Sequence, residues 1–202
     1  LSGKMQIGEL IYDTLTFRNN QLDFAASQRT IKINRLDTSV FSGNIGGSGR
    51  IELSGDNPSA YLNAKFSNIK IHDIKFQDEK LNNRLFGFAD GTANLGFIFR
   101  ENMTETIRGN TTFTVSKGKV VNTGVQDGLI IFLAELRYKL KDLEFSRIYG
   151  NIDINGRNLG INSFIFNSED LRLSMNGRLS SDFIASNMSM KLEFNNHFIK
   201  DI

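Results

Sequence analysis

The chain has 202 residues, with 24 Lys and Arg against 22 Asp and Glu, and no Cys. That length supports one core or one continuous sheet without a metal or a disulfide, the lack of Cys excludes thiol chemistry while leaving the redox compartment open, and the interspersed charges build no field that would gather nucleic acid. The 17 Phe and 18 Gly beside a single Pro and no Trp point to many strands and turns.

From Lys4 to about Phe76 short apolar alternations follow one another: Met5/Ile7, Leu15/Phe17, Leu22/Phe24, Ile31/Ile33, Ile51/Leu53, Leu62/Ala64/Phe66, Ile69/Ile71 and Ile74/Phe76. Arg18-Asn19-Asn20, Ser27-Gln28-Arg29, Gly46-Gly47-Ser48 and Gly55-Asp56-Asn57-Pro58 separate them with the residues that tight turns use. This spacing predicts an antiparallel β-meander over 1–76, apolar on one face and polar on the other. The Gly-rich run from Gly43 to Gly49 continues into strand-like Arg50-Ile51-Glu52-Leu53, so it reads as a bulge or hairpin turn; a phosphate cradle would lead into a helix.

Over 77–90 the rhythm changes. Leu81, Leu85 and Phe88 fall at helical spacing behind Asp78 and Glu79, which predicts a short helix. Strands are expected over 91–122, first through Ala93, Leu95, Phe97 and Phe99. A hairpin is then expected from Phe113/Val115 through a Lys117-Gly118 turn into Lys119 to Val121. Over 123–141 Val125, Leu129, Phe132 with Leu133, Leu136 and Leu140 predict a helix whose broad apolar face, with Leu129, Phe132, Leu133 and Leu136 buried, covers the sheet. Strands return over 142–202, in Ile152/Ile154, Leu159/Ile161, Leu171/Leu173/Met175 and Met188/Met190/Leu192/Phe194, with Asn155-Gly156 and Asn176-Gly177 marking turns between or beside them. No linker or low-complexity segment intervenes, so 1–202 reads as one module. Leu1 without a preceding Met and the hydrophobic His197-Phe198-Ile199 near Ile202 read as cut ends of a larger protein.

Residues that could carry chemistry are few. His72 and His197, the only histidines, stand far apart and read as structural. Asp153-Ile-Asn155-Gly156 has its Gly two positions too early for a calcium loop and no acidic residue where one is needed, so it reads as a turn. The triplets starting at Asn102, Asn110 and Asn187 fit chance in a chain so rich in Asn, Ser and Thr. There is no nucleophile elbow and no set of acid, base and nucleophile. The expectation is a protein without catalytic residues, cofactor or metal.

The order of elements resembles the C-terminal region of AsmA-like proteins. The likeness runs through Gly91-Thr-Ala-Asn-Leu-Gly96, then Gly109, Phe113, Val115, Gly118 and Val120 in a G-x-x-x-F-x-V-x-x-G-x-V step leading into the 123–141 segment. It continues with Phe145, Ile148 and Gly150 in an F-x-x-I-x-G strand, and with Ser168 to Leu179. It covers the whole chain and is most specific over residues 84–180. What the resemblance implies is a Gram-negative envelope protein exposed to the periplasm and tethered to the inner membrane by a segment outside this chain. It also implies a long curved antiparallel sheet, a trough with an apolar inner face, capped by the amphipathic helix.

A sheet with one apolar face must pack that face or use it, and an acyl chain can replace packing partners. What the resemblance implies, and this physics agrees with, is a non-enzymatic module that shields acyl chains for phospholipid transport between the inner and outer membranes. The lining is expected from Leu171, Leu173, Met175, Met188, Met190, Leu192 and Phe194, whose alternation puts one strand's set on one sheet face. The alternative is a self-packed scaffold that assists outer-membrane protein assembly through sheet edges or surface contacts; a solenoid-like adhesin is a weaker third reading, since two helices break a fixed repeat.

Overall fold

In a computed structural model, residues 1–12, 15–74, 82, 84–121, 143–180 and 185–195 are described. They form eleven strands: β1 (Ser2–Tyr12), β2 (Leu15–Ser27), β3 (Thr30–Val40), β4 (Gly43–Glu52), β5 (Ser59–Lys70), β6 (Leu85–Ile98), β7 (Arg108–Val120), β8 (Leu143–Asn155), β9 (Asn158–Asn167), β10 (Leu171–Ser180) and β11 (Ala185–Phe194). Every strand pairs antiparallel with its neighbours in sequence, giving one open, curved sheet in the order β1 to β11, and strand accounts for 79% of the described residues. A meander of this kind needs only short connections at alternate ends, so local alternation and turn chemistry suffice to build it.

Several expected boundaries move. The short helix over 77–90 is corrected at its second half: Leu85 begins β6, and residues 75–81 lie outside the described set. The spacing of Leu85 and Phe88 misleads because β6 carries apolar side chains on both faces there. Phe86 and Phe88 point away from Leu85 and Ala89, and the ammonium of Lys119 sits 5.4 Å from the Phe86 ring centre. The helix over 123–141, with its burial of Leu129, Phe132, Leu133 and Leu136, falls outside the described residues. Among the described residues the helical pieces are two 3-10 turns, Ile71–Asp73 and Met103–Thr106; the first follows the end of β5 at Lys70, and Phe76 of the expected Ile74/Phe76 alternation lies outside the described residues.

The Lys117-Gly118 hairpin is also corrected: β7 runs unbroken from Arg108 to Val120 between β6 and β8. Lys117 takes a left-handed φ of 52° in mid-strand, and between the Phe86–Lys119 and Phe88–Ser116 pairs β7 sets Lys117 and Gly118 against the single Gly87 of β6. That is a β-bulge, which bends the strand without ending it. Arg18-Asn19-Asn20 behaves likewise. It lies inside β2 at a register shift against β3, where Asn19 has φ 54°, and the Asn20 side chain donates to the carbonyls of Ile7 and Phe17. Asn tolerates this conformation better than other side chains, so the Asn-rich composition supplies bulges as well as turns.

Gly46-Gly47-Ser48 is interior to β4, the reversal being at Phe41-Ser42, and Asn176-Gly177 is interior to β10 opposite the Asn187 bulge of β11. Asn155-Gly156 does close the β8–β9 hairpin, with Gly156 at φ 61°.

Candidate functional site

The register decides which side chains share a face. Directly opposed residues of antiparallel strands project to the same side. One row runs Ile45, Phe66, Gly91, Phe113, Gly150, Phe164, Met175, Met190 from β4 to β11. A parallel row runs Ile69, Ala89, Val115, Ile148, Phe166, Leu173, Leu192 from β5 to β11. Neither holds a charge. On the opposite face Gln21, Asp37, Gly46, Lys65, Thr92, Thr112, Asn151 and Ser163 form a polar row from β2 to β9. The sheet is therefore two-faced across nearly its whole width.

Glycines and rings cooperate on the apolar face. A Cβ added at Gly91 would stand 2.5 Å from the Phe66 ring, one at Gly150 would stand 2.4 Å from the Phe113 ring, and one at Gly118 would stand 2.3 Å from the Phe145 ring. Each pair is directly opposed across two strands, so the ring lies over the bare backbone of its neighbour. These rings cover main chain that the glycines leave bare. This is why the composition is rich in both Phe and Gly, and it explains why a strand glycine such as Gly118 resembles a turn in sequence.

The seven residues expected to line a lipid path all lie on this apolar face. Leu171 opposes Phe194, Leu173 opposes Leu192 and Met175 opposes Met190, with Met188 two positions further along β11. Their environments differ sharply. Leu171 is 3% exposed within a buried cluster that includes Val115, Phe145, Ile148 and Phe166 at one end of the strands, whereas Met190 is 64% and Leu192 36% exposed on β11, the last strand of the sheet among the described residues. Leu173 and Phe194 pack against the cluster from its border. Sequence reasoning missed the neighbouring Phe164 and Phe166, whose register with Met175 and Leu173 extends the same lining into β9. Their alternation in Phe164-Ile165-Phe166 is masked because Ile165, on the other face, is apolar as well.

The polar face carries an amide and carboxylate ladder. Asn110 Nδ2 donates to Asp153 Oδ1 at 2.8 Å and to Asn151 Oδ1 at 3.0 Å, while Asn162 Nδ2 donates to Asp153 Oδ2 at 2.8 Å. The hydrogen bonds from Asn162 and then Asn110 hold the Asp153 carboxyl below the usual carboxylate range. A carboxylate satisfied on both oxygens by fixed amides is a structural rung. No group of His, Asp and Glu among the described residues could hold a metal ion. His72 is half-buried, with its ring centre 5.4 Å from that of Phe86 and its Nε2 3.6 Å from Asp73, and His197 lies outside the described residues.

Among the described residues no helix is long and apolar enough to cross a membrane. Comparison with known proteins gave no match to a family model, a curated protein or a solved structure.

Proposed function

We propose that this chain is a non-enzymatic module of a periplasmic cell-envelope protein. Its apolar face shields the acyl chains of phospholipid moving between the inner and outer membranes, and the tether to the inner membrane lies in a segment outside this chain. The observation that carries the reading is an uncharged apolar face continuous from β4 to β11 that reaches the outermost strand with Met190 and Leu192 still exposed. Contiguous exposed apolar surface of this kind is uncommon unless it binds something. Met side chains suit a variable acyl partner because they are unbranched and adapt to shape. The AsmA-like order of elements gives the setting, and transport of this kind asks for no bond chemistry.

Native mass spectrometry of protein purified from a Gram-negative periplasm tests the proposal. The expected result is copurified phospholipid or fatty acid that is reduced in Met190→Arg while the fold is kept, since a long side chain at an exposed position reaches water. Protein free of lipid in both forms would refute it. A second reading, a scaffold for envelope assembly that holds partner strands, is favoured by one observation: the sheet has two edges, β1 and β11, without a neighbouring strand among the described residues.

A further inference from the structure

Exposed apolar side chains gather at one end of the sheet. Among the described residues beyond Leu1, β1 and β11, every exposed large hydrophobic lies where β4 and β6 finish and β5 begins: Leu53, Tyr61, Ile98, Phe99 and Met103. The buried cluster of Val115, Phe145, Ile148, Phe166 and Leu171 lies towards the other end. The Tyr61 ring is covered by the Arg50 guanidinium, 4.3 Å from its centre. The other four stand on or beside the β4–β5 and β6–β7 connections, and the register carries the apolar face out to them. Ile31, Ile51, Ala60 and Phe97 form a row of that face across β3 to β6. Two residues further along, Leu53 donates its N–H to the Arg29 carbonyl at 2.6 Å and Phe99 donates to the Pro58 carbonyl at 2.8 Å, so Leu53 continues the side of Ile51 and Phe99 that of Phe97. The Phe97 and Phe99 rings meet edge to face at 5.2 Å.

The main chain beneath these side chains is closed on itself. Buried Thr106 accepts the Ile98 N–H at 2.9 Å, and its hydroxyl donates to the Met103 carbonyl at 2.7 Å. Arg108 Nη1 donates to the carbonyls of Glu105 and Ile107, both at 2.9 Å, and the Gly156 N–H reaches the Ile107 carbonyl at 2.7 Å. A lipid interface requires main-chain polar groups to be satisfied within the protein, whereas a partner that adds a strand requires them free. The charges here are balanced: Arg157 pairs with Glu105 at 2.7 Å, and Arg29 and Arg100 are matched in number by Asp56 and Glu101. Apolar contact, and not net charge, is what this end offers.

We propose that this end of the sheet docks on the surface of a phospholipid bilayer, with Leu53, Phe99 and Met103 entering the interfacial layer. Arg29, whose carbonyl holds Leu53, and Arg100, next to Phe99, are both exposed. Long basic side chains in such places keep their charge among the phosphates while their stems and the neighbouring apolar groups sit deeper. Insertion from separate connections, with Arg and acidic groups in equal number, makes the binding depend on apolar burial and only weakly on anionic lipid or salt. The inference goes beyond the shielding of acyl chains and stands on this end alone, so it holds whether or not the apolar face carries lipid.

The chain has no Trp, so Phe99→Trp would carry the only indole and report on this end alone. Mixed with phosphatidylcholine vesicles, Phe99→Trp should shift its emission to the blue and be quenched by brominated acyl chains, while Thr92→Trp, mid-sheet on the polar face, should do neither. In flotation of the otherwise unchanged chain, Leu53→Ser with Phe99→Ser should lower the partition onto these vesicles about tenfold or more, since two apolar side chains no longer leave water. Both positions are exposed, so the double variant should melt like the parent. The proposal is overturned if the parent does not float with the vesicles, which would leave this end to a protein partner. It is equally overturned if Thr92→Trp responds as Phe99→Trp does, or if binding needs phosphatidylglycerol and is lost in salt. Vesicle binding by protein that purifies free of lipid would uphold this inference while refuting the acyl-chain reading, and bound lipid without vesicle binding would do the reverse.

Discussion

One face of one sheet is packed at the β7–β8 end of the strands and open along the β11 rim. Val115, Phe145, Ile148, Phe166 and Leu171 are buried, while Met190, four residues from Phe194 at the border of the same cluster, is exposed. Alternation assigns a residue to a face, but depth on that face depends on how many strands lie beside it and how the sheet curves. The same pattern of side chains is therefore core in one place and accessible surface in another. Substitutions should separate the two.

The largest effect is expected in the packed cluster. Phe166→Ala removes a ring that meets Phe145 at a 5.5 Å centroid distance and should cost about 3–5 kcal/mol in a denaturant melt. A loss below about 1 kcal/mol would show that this end is no more packed than the rim. Next comes the ring-on-glycine contact. Gly150→Val drives a branched side chain into the Phe113 ring and should cost about 1–3 kcal/mol. The double variant with Phe113→Ala should recover part of that loss, and strict additivity would mean the ring does not depend on the bare backbone. At the rim, Met190→Arg should alter stability by only about 0.5 kcal/mol or less. A cooperative loss of folding there would make the open rim a core.

The smallest effect belongs to the polar face. Asn162→Ala removes the larger of the two hydrogen bonds that lower the Asp153 pKa. A carboxyl whose folded pKa is depressed contributes stability above its unfolded pKa and loses it as the pH falls through the folded value. The stability gap between parent and variant should therefore be present at neutral pH and close in acid, as followed by melts across that range. A gap independent of pH would mean that Asp153 takes no part.

Much of this was legible in the chain. The alternations at Leu171 to Met175 and Met188 to Phe194 gave two strands, and antiparallel pairing put their apolar sides together. What stayed hidden depends on distant residues. Gly118 reads as a turn until Phe145, 27 positions later by numbering, is known to lie over it. Asn19 reads as a turn until the register of β2 with β3 shows a bulge there, with the Asn20 side chain bonded to the carbonyls of Ile7 and Phe17. Phe88 reads as helical because Leu85, three residues earlier, happens to match that spacing, and only the pairing of β6 with β7 puts the two on opposite faces. The contrast between Leu171 and Met190 was equally inaccessible, because burial along a face is set by neighbours from several strands.

On the proposed function, the rim of the apolar face, and neither the packed end nor the polar face, would receive acyl chains. Photo-crosslinking with a diazirine fatty acid, followed by peptide mapping, reads this directly. Label is expected to concentrate on the peptides holding Leu173, Met175, Met190 and Leu192. Label spread evenly over the chain, or concentrated on polar-face residues such as Lys65, Thr92 and Asn151, would contradict it.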